Sequence, residues 1–306
     1  MTDEPLIAGV ELGGTKTVVL RARGRTLIDE VRIATTHAAA TLDAAAQVLR
    51  GWQAEEAFAA LGIASFGPLR LDPAAPDYGH MLQTPKPGWA GADLLGALAA
   101  RLACPAAIDT DVNGAALAEA RWGAGAGSDA LCYITIGTGV GGGLVLDGRP
   151  VHGALHPELG HILVRRAPGD AFAGTCPFHG DCVEGLISGP ALAARFGAEG
   201  DAIADDDPRW ADAAHDLAQL VGTMLLTTAA RTVLIGGGVG LGRPHLTARC
   251  RAILLDQLGG YLPFVTADSV EGIIRPPALG PQAGPLGAIA LGLRALEAGT
   301  AQGAAA

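Results

Sequence analysis

Leu6-Ile7-Ala8-Gly9-Val10-Glu11-Leu12-Gly13-Gly14-Thr15-Lys16-Thr17-Val18-Val19-Leu20 is the stretch whose reading decides the fold. An apolar run enters a turn made of glycines, a hydroxyl and a lysine, and a second β-rich run leaves it. That order predicts a β-hairpin folded around a tight glycine turn. The same build returns later. Leu131 to Ile136 reads as a strand, Gly137 to Gly143 as a glycine-rich turn, and Gly143 to Leu146 as the return strand. Each half of the chain therefore opens with a hairpin and continues in alternating α and β. This pattern points to two α/β lobes, related as an internal duplication, with a cleft between them.

Outward from the hairpins, residues 41–61 and 89–103 read as helices. Leu61 to Phe66 and Ala106 to Ile108 read as short buried strands. A long helix is expected from Arg209 to Ala230, a strand over Thr232 to Ile235 entering Gly236-Gly237-Gly238, and a closing helix from Ala283 to Ala298. The tail from Gly299 to Ala306 is expected to fray. Among the 45 glycines, clusters stand at 9–16, 136–143, 179–189 and 235–242. Glycine clustered after strand-like runs brings backbone close to a ligand.

Composition excludes several classes. The chain has 306 residues, 49% of them hydrophobic and 17% charged, enough for a sizeable core. A net charge of −10 gives no general attraction to nucleic acid or anionic lipid. The apolar stretch Leu220 to Ala230 stops at Arg231, short of the roughly 20 residues a membrane span needs. MTDEPLIAGVELGG has no basic flank and no long apolar core, so no signal peptide is expected and the cytoplasm is the expected compartment. Five cysteines argue against a disulfide framework.

Gly13-Gly14-Thr15-Lys16 can offer backbone N–H groups, a hydroxyl and a positive charge to phosphate oxygens. It is not a P-loop, since the spacing differs and a strand rather than a helix follows. Gly137-Thr138-Gly139-Val140-Gly141-Gly142-Gly143 contains G-x-G-x-x-G, but a strand follows here too, which disfavours a dinucleotide fold. Cys176-x-x-His179-x-x-Cys182, with His161 fifteen residues before Cys176, supplies a Cys2His2 set suited to structural zinc. Cys104, Cys132 and Cys250 read as core thiols, and His37, His80, His152, His215 and His245 have no partners at ligand spacing. In Asp109-Thr110-Asp111-Val112-Asn113 an aspartate ahead of a helix reads either as an N-cap or as a base for an attacking hydroxyl.

Taken in order, GVELGGTKTVV (9–19), ASFGPL (64–69), TPKPGW (84–89), DTDVNGAALAEARWGAG (109–125), YITIGTGVGGG (133–143), HPELGH (156–161), CPFHGDCVEGLISGPAL (176–192) and LIGGGVG (234–240) resemble the ROK sugar kinases, within them the bacterial fructokinase branch. The resemblance runs over nearly the whole chain. It implies a two-lobed actin-like ATPase (ribonuclease H-like) fold with the active site in the interlobe cleft. Residues 1–115 and the C-terminal helix, about 283–298, would form the smaller lobe, and 116–282 the larger. The implied reaction passes the γ-phosphoryl group of ATP to a hexose, fructose at its 6-hydroxyl first and mannose or glucose as alternatives.

The resemblance also assigns roles. Asp111 would be the general base and Asn113 part of the site. Gly13, Gly14, Thr15 and Lys16 would line one side of the phosphates, Thr138 and Gly139 the other, with Gly236, Gly237 and Gly238 near adenosine. Glu158, His161 and Glu184 would accept hydrogen bonds from sugar hydroxyls. His161 would be shared between zinc, with Cys176, His179 and Cys182, and the sugar. Glu11 would stand near Mg²⁺. Thr110 stands where relatives often have a sugar-contacting Asn, which implies a different hydroxyl pattern in the substrate. Relatives are commonly homodimers. A non-catalytic sugar-sensing protein is the remote alternative; regulators of this family carry a DNA-binding helix-turn-helix ahead of the kinase-like part, and with the glycine turn starting near residue 9 none is expected here.

Overall fold

The computed structural model describes residues 4–100, 102–198 and 200–304. Met1 to Asp3, part of the stretch inspected for a leader, lie outside them, as do Ala305 and Ala306 of the tail. The chain divides into two compact units. The first takes residues 1–123, 149–156 and 281–306, the second 124–148 and 157–280. The excursion 149–156 has no signature in the sequence.

In the first unit β1 (Leu6–Leu12), β2 (Lys16–Arg23) and β3 (Thr26–Ala34) form an antiparallel meander. After α1 (Ala38–Glu55), β4 (Ala60–Ser65) adds parallel to β1. After α2 (Leu94–Ala99), β5 (Ala106–Thr110) adds parallel to β4 and runs straight into α3 (Asp111–Trp122). The sheet order is β3-β2-β1-β4-β5. In the second unit β6 (Ala130–Ile136) and β7 (Val140–Leu146) form the second hairpin, with β8 (Arg149–Pro150) where the chain crosses into the first unit. Then come α4 (Val183–Ile187), α5 (Gly189–Phe196), α6 (Trp210–Thr228), β9 (Thr232–Gly236), α7 (Gly237–Gly242), α8 (Pro244–Leu258), α9 (Val270–Ile273) and β10 (Ile274–Arg275). The order β10-β9-β6-β7-β8 repeats the first sheet, with β9 and β10 parallel to β6 as β4 and β5 are to β1. The duplication read from the two hairpins is thus present in the strand order. The chain returns to the first unit as α10 (Ala283–Ala304).

β1 is apolar at every position but Glu11 because both of its faces are covered. Leu6, Ala8, Val10 and Leu12 join the core with Leu42, Leu49, Trp89, Leu94 and Leu98, on the α1 and α2 side. Ile7 and Gly9 face α10. The same alternation turns Glu11 toward the first turn of α10; a Cβ on Gly284 would lie 2.0 Å from Glu11 Oε1. Small residues let α10 approach closely. A Cβ on Gly62 in β4 would fall 1.8 Å from the Ala288 carbonyl oxygen and 2.4 Å from the Gly292 nitrogen. Backbone cannot yield as a side chain can. Gly62→Ala is therefore expected to destabilise the protein by at least about 3 kcal/mol, measured as a lowered urea midpoint with unchanged slope.

Several sequence expectations are corrected. The helix expected over 41–61 starts at Ala38 and stops at Glu55, leaving room for β4. The helix expected over 89–103 shortens to Leu94–Ala99, because Gly91 has φ +77° and Asp93 caps the helix by accepting from Gly96 N at 2.7 Å. Gly236 to Gly238 are not a simple turn but the end of β9 and the start of α7. The closing helix continues through the tail as far as Ala304. No helix among the described residues is long and apolar enough to cross a membrane.

Candidate functional site

The first group of expected residues gathers at the carboxyl ends of β1 and β5, within the first unit. Gly13 N donates to Lys16 O at 3.0 Å, closing the turn between β1 and β2. A Cβ on Gly13 would come 2.8 Å from that same oxygen, so the turn needs glycine there. Gly14, Thr15 and Lys16 are exposed at its tip. Thr15 O accepts from Thr35 N at 3.0 Å, and Thr17 Oγ1 lies 2.8 Å from Thr35 Oγ1, which ties the hairpin to β3.

Asp111 opens α3 but does not cap it. The cap is Thr110, whose Oγ1 accepts from Asn113 N at 3.2 Å. Asp111 Oδ1 accepts from Val112 N at 2.8 Å. Burial raises the Asp111 pKa above the ordinary carboxylate range, and the hydrogen bonds from the Val112 and Asp111 N–H groups oppose that rise. A helix start beneath a half-buried carboxylate, with the capping done by a neighbour, leaves that carboxylate available for proton transfer. Asn113 is buried, and its Nδ2 donates to Asp109 Oδ1 at 2.8 Å. Asp109 Oδ2 lies 3.0 Å from His152 Nε2. His152 thus has a partner that its place in the sequence did not show, and Asp109 raises its pKa. Asn113 Oδ1 is buried without a hydrogen-bond partner. His156, from the HPELGH motif, is buried in this unit and its Nε2 accepts from Leu69 N at 3.1 Å. Trp89 is fully buried and donates from Nε1 to Thr36 O at 2.7 Å, so it packs.

Glu11 sits between these elements. Its pKa rises to about 7, first through burial and next through the charge of Asp111, with Lys16 pulling it down. Unfolded, it titrates near 4.5. Between those values the folded chain keeps a proton that the unfolded chain has released, so stability falls as pH rises from 4.5 to about 7. The expected result is a melting temperature that drops across this window, with a shallower drop in Glu11→Gln, measured by calorimetry without divalent cations. Glu11 and Asp111, both half-buried and near enough for their charges to interact, form an oxygen donor pair that a hard divalent cation fits.

The second group lies within the second unit. Gly137 N donates to Gly139 O at 2.9 Å, with Thr138 exposed at the tip. Glu184, in α4, turns one oxygen to this hairpin: Oε2 accepts from Val140 N at 3.1 Å. Gly189 N, at the start of α5, donates to Gly137 O at 2.7 Å. Gly237 has φ +81°, and a Cβ there would meet Ile136 O at 2.4 Å. Only glycine fits, so the start of α7 lies directly against the end of β6. Gly160 rests on β7 as closely, its Cβ position 1.8 Å from Val140 O. That contact fixes the short 3-10 turn Leu159–His161, with Glu158 exposed ahead of it.

His161, Cys176, His179 and Cys182 converge. Their ligand atoms all lie within 4.8 Å of one another. His161 Nδ1 is 3.8 Å from Cys176 Sγ and 3.5 Å from Cys182 Sγ, and His179 Nδ1 is 3.7 Å from Cys176 Sγ. Tetrahedral zinc with ordinary bond lengths separates sulfur from nitrogen by about 3.6 Å, so the residues present fit the ion. Burial pushes the Cys182 thiol up to about 11, a proton that a bound metal would displace. Both histidines turn Nδ1 inward, which leaves Nε2 of His161 for another partner. The loop is braced from the side by Arg166, whose Nη1 donates to Asp181 Oδ2 at 3.4 Å. The ion pair of Arg195 and Asp216 at 2.8 Å is fully buried nearby in sequence and was not signalled by any motif. Cys132 and Cys250 are buried as expected, and Cys104 is half-buried.

Comparison with known proteins gives a consistent picture. The model of the ROK family matches residues 7–295. The chain is 39% identical to a fructokinase of Zymomonas mobilis, over 96% of this chain and 98% of that protein. It is 36% identical to a fructokinase of Lactococcus lactis, over 88% of this chain and 90% of that protein. Among solved structures, a ROK hexokinase from Thermus thermophilus superposes with a TM-score of 0.77 at 26% identity, covering 95% of this chain and 99% of that one. The α/β class expected from the hairpins and the actin-like ATPase fold implied by the resemblance hold.

Proposed function

The chain belongs to the ROK family, and from that premise we propose that it is an ATP-dependent fructokinase that phosphorylates the 6-hydroxyl of fructose. The observation that carries the reading is Asp111. It is half-buried at a helix start, relieved of capping by Thr110 and raised in pKa by burial. A carboxylate of that kind takes the proton of an attacking hydroxyl more readily than a solvated one. The high coverage of relatives named fructokinase supports the sugar. Thr110 supports it as well. Its hydroxyl is committed to Asn113 N, so it does not offer the sugar the amide that Asn at this place would offer.

In this reading Asp111 orients the fructose hydroxyl and receives its proton as the γ-phosphorus is attacked. Gly13, Gly14, Thr15 and Lys16 would hold phosphate oxygens through backbone N–H groups, a hydroxyl and an ammonium. Thr138 and Gly139 would do the same from the second unit, and Gly236, Gly237 and Gly238 would meet adenosine. Mg²⁺, when bound with ATP, spreads the charge of the phosphates, and Glu11 would hold it directly or through water. Asn113, Glu158, His161 and Glu184 would accept from or donate to sugar hydroxyls, where a mismatched stereoisomer leaves buried polar groups unpaired. Zn²⁺, held by His161, Cys176, His179 and Cys182, would be structural, since four protein ligands leave no open position. It would fix the ring of His161 so that Nε2 is presented in one tautomer.

The test is the product. Purified protein incubated with fructose and MgATP is expected to yield a single phosphate ester, identified by phosphorus-proton correlation NMR as the 6-phosphate. An ester at the 1-position would contradict the assigned hydroxyl, and phosphorylation of mannose or glucose but not fructose would change the substrate.

A further inference from the structure

The chain contains two lysines, Lys16 and Lys86, and its nineteen other basic side chains are arginines. Both lysines meet one turn. Lys16 closes the Gly13–Lys16 turn at the start of β2. Lys86 comes from the TPKPGW loop and donates from Nζ to Gly14 O. The same nitrogen lies 5.9 Å from the ring centre of Phe66, whose edge meets Trp89 with centroids 4.9 Å apart.

Lys86 stands between Pro85 and Pro87. Proline fixes its own φ and restricts the residue before it, so the loop tip is stiff. Trp89, buried and hydrogen-bonded to Thr36 O, anchors the loop's other end. The backbone is held and the lysine side chain is the part free to swing. Gly14 is exposed, so water could serve its carbonyl without Lys86. Arginine, the cation this chain uses almost everywhere else, could make the same bond. What lysine adds is a compact charge with rotatable donors that can leave one acceptor for another close by.

We propose that Lys86 is a second phosphate-contacting cation, whose ammonium leaves Gly14 O for a nonbridging oxygen of the γ-phosphoryl group when nucleotide binds. The inference rests on the kinase reading and names a residue that reading does not use. During transfer the bond from the γ-phosphorus to the β–γ bridging oxygen breaks and its electron pair stays on ADP. The sugar oxygen forms the new bond to phosphorus, and its proton passes to Asp111. Lys86 exchanges no proton; it offsets the negative charge carried by the equatorial oxygens of the transferring group.

Two arms test it. Because two lysines are present, acetylation by an amine-selective reagent followed by peptide mass spectrometry reads each separately. A saturating nonhydrolysable ATP analogue with Mg²⁺ is expected to slow labelling of Lys86 at least about fivefold, and fructose alone to leave it unchanged. An unchanged rate with nucleotide, at occupancy confirmed by titration, overturns the proposal. In the kinetic arm Lys86→Met is expected to lower kcat about 100-fold with the fructose KM within threefold. Lys86→Arg is expected to recover about tenfold of that loss, with both variants melting within a few degrees of wild type. A kcat within twofold of wild type overturns it, and so does a rise in fructose KM alone, which would put the ammonium on the sugar. Absence of sugar-dependent turnover in the wild type would defeat the kinase reading, while the labelling arm would still decide the phosphate contact.

Discussion

Asp111→Asn is expected to lower fructose-dependent ADP release by about 10³- to 10⁴-fold, with a fructose KM changed less than tenfold. The variant isolates chemistry from structure unusually well. Asparagine has the same shape, and its oxygen can still accept from Val112 N, as Asp111 Oδ1 does at 2.8 Å. The start of α3 does not depend on the substituted side chain, because Thr110 caps it. Removing a half-buried carboxylate also removes one contribution to the raised pKa of Glu11, so the fold is expected to be as stable or slightly more so. A coupled assay and a thermal melt on the same sample check both statements. A kcat within tenfold of wild type would take the base role away from Asp111.

The sequence disclosed this site unevenly, for physical reasons. The glycine turns were readable because a hairpin between two covered strands leaves a sharp signature: apolar runs on both sides and glycine where a Cβ would strike backbone, as at Gly13 and Gly237. The Cys2His2 cluster was readable because three of its four residues lie on one short loop. Edge strand β3 was missed because Asp29, Glu30 and Arg32 interrupt its apolar residues, and most of the strand is exposed. The helix expected from Trp89 begins only at Leu94, because Gly91 at positive φ and the cap at Asp93 interrupt the alanine-rich pattern. The partnership of Asp109 with His152 was invisible, since the residues meet only when 149–156 joins the first unit. Thr110 was readable as a departure from the family, but its capping bond to Asn113 emerges only in three dimensions.

Removal of the metal is the second large effect. Cys182→Ser is expected to reduce zinc from one ion per chain to none, and to raise the fructose KM by about 10- to 100-fold. Cys182 is fully buried, within reach of His161 Nδ1, and its backbone begins α4, which carries Glu184. Loss of the ion would therefore free the His161 ring and loosen the helix that turns Glu184 toward Val140 N. Binding energy of a structural zinc is also folding energy, so the melting temperature should fall, and incubation with a strong chelator should reproduce both effects in the wild type. Elemental analysis with parallel melts and sugar titrations reads all three. Full sugar affinity in a zinc-free protein would separate the metal from the sugar site.

The most direct measurement is ADP release from MgATP by the wild-type protein across a panel of fructose, mannose, glucose and N-acetylated hexoses. The account predicts sugar-dependent turnover with kcat/KM for fructose at least about tenfold above every other sugar. Turnover that fructose does not stimulate, in protein with zinc and magnesium present, would contradict it.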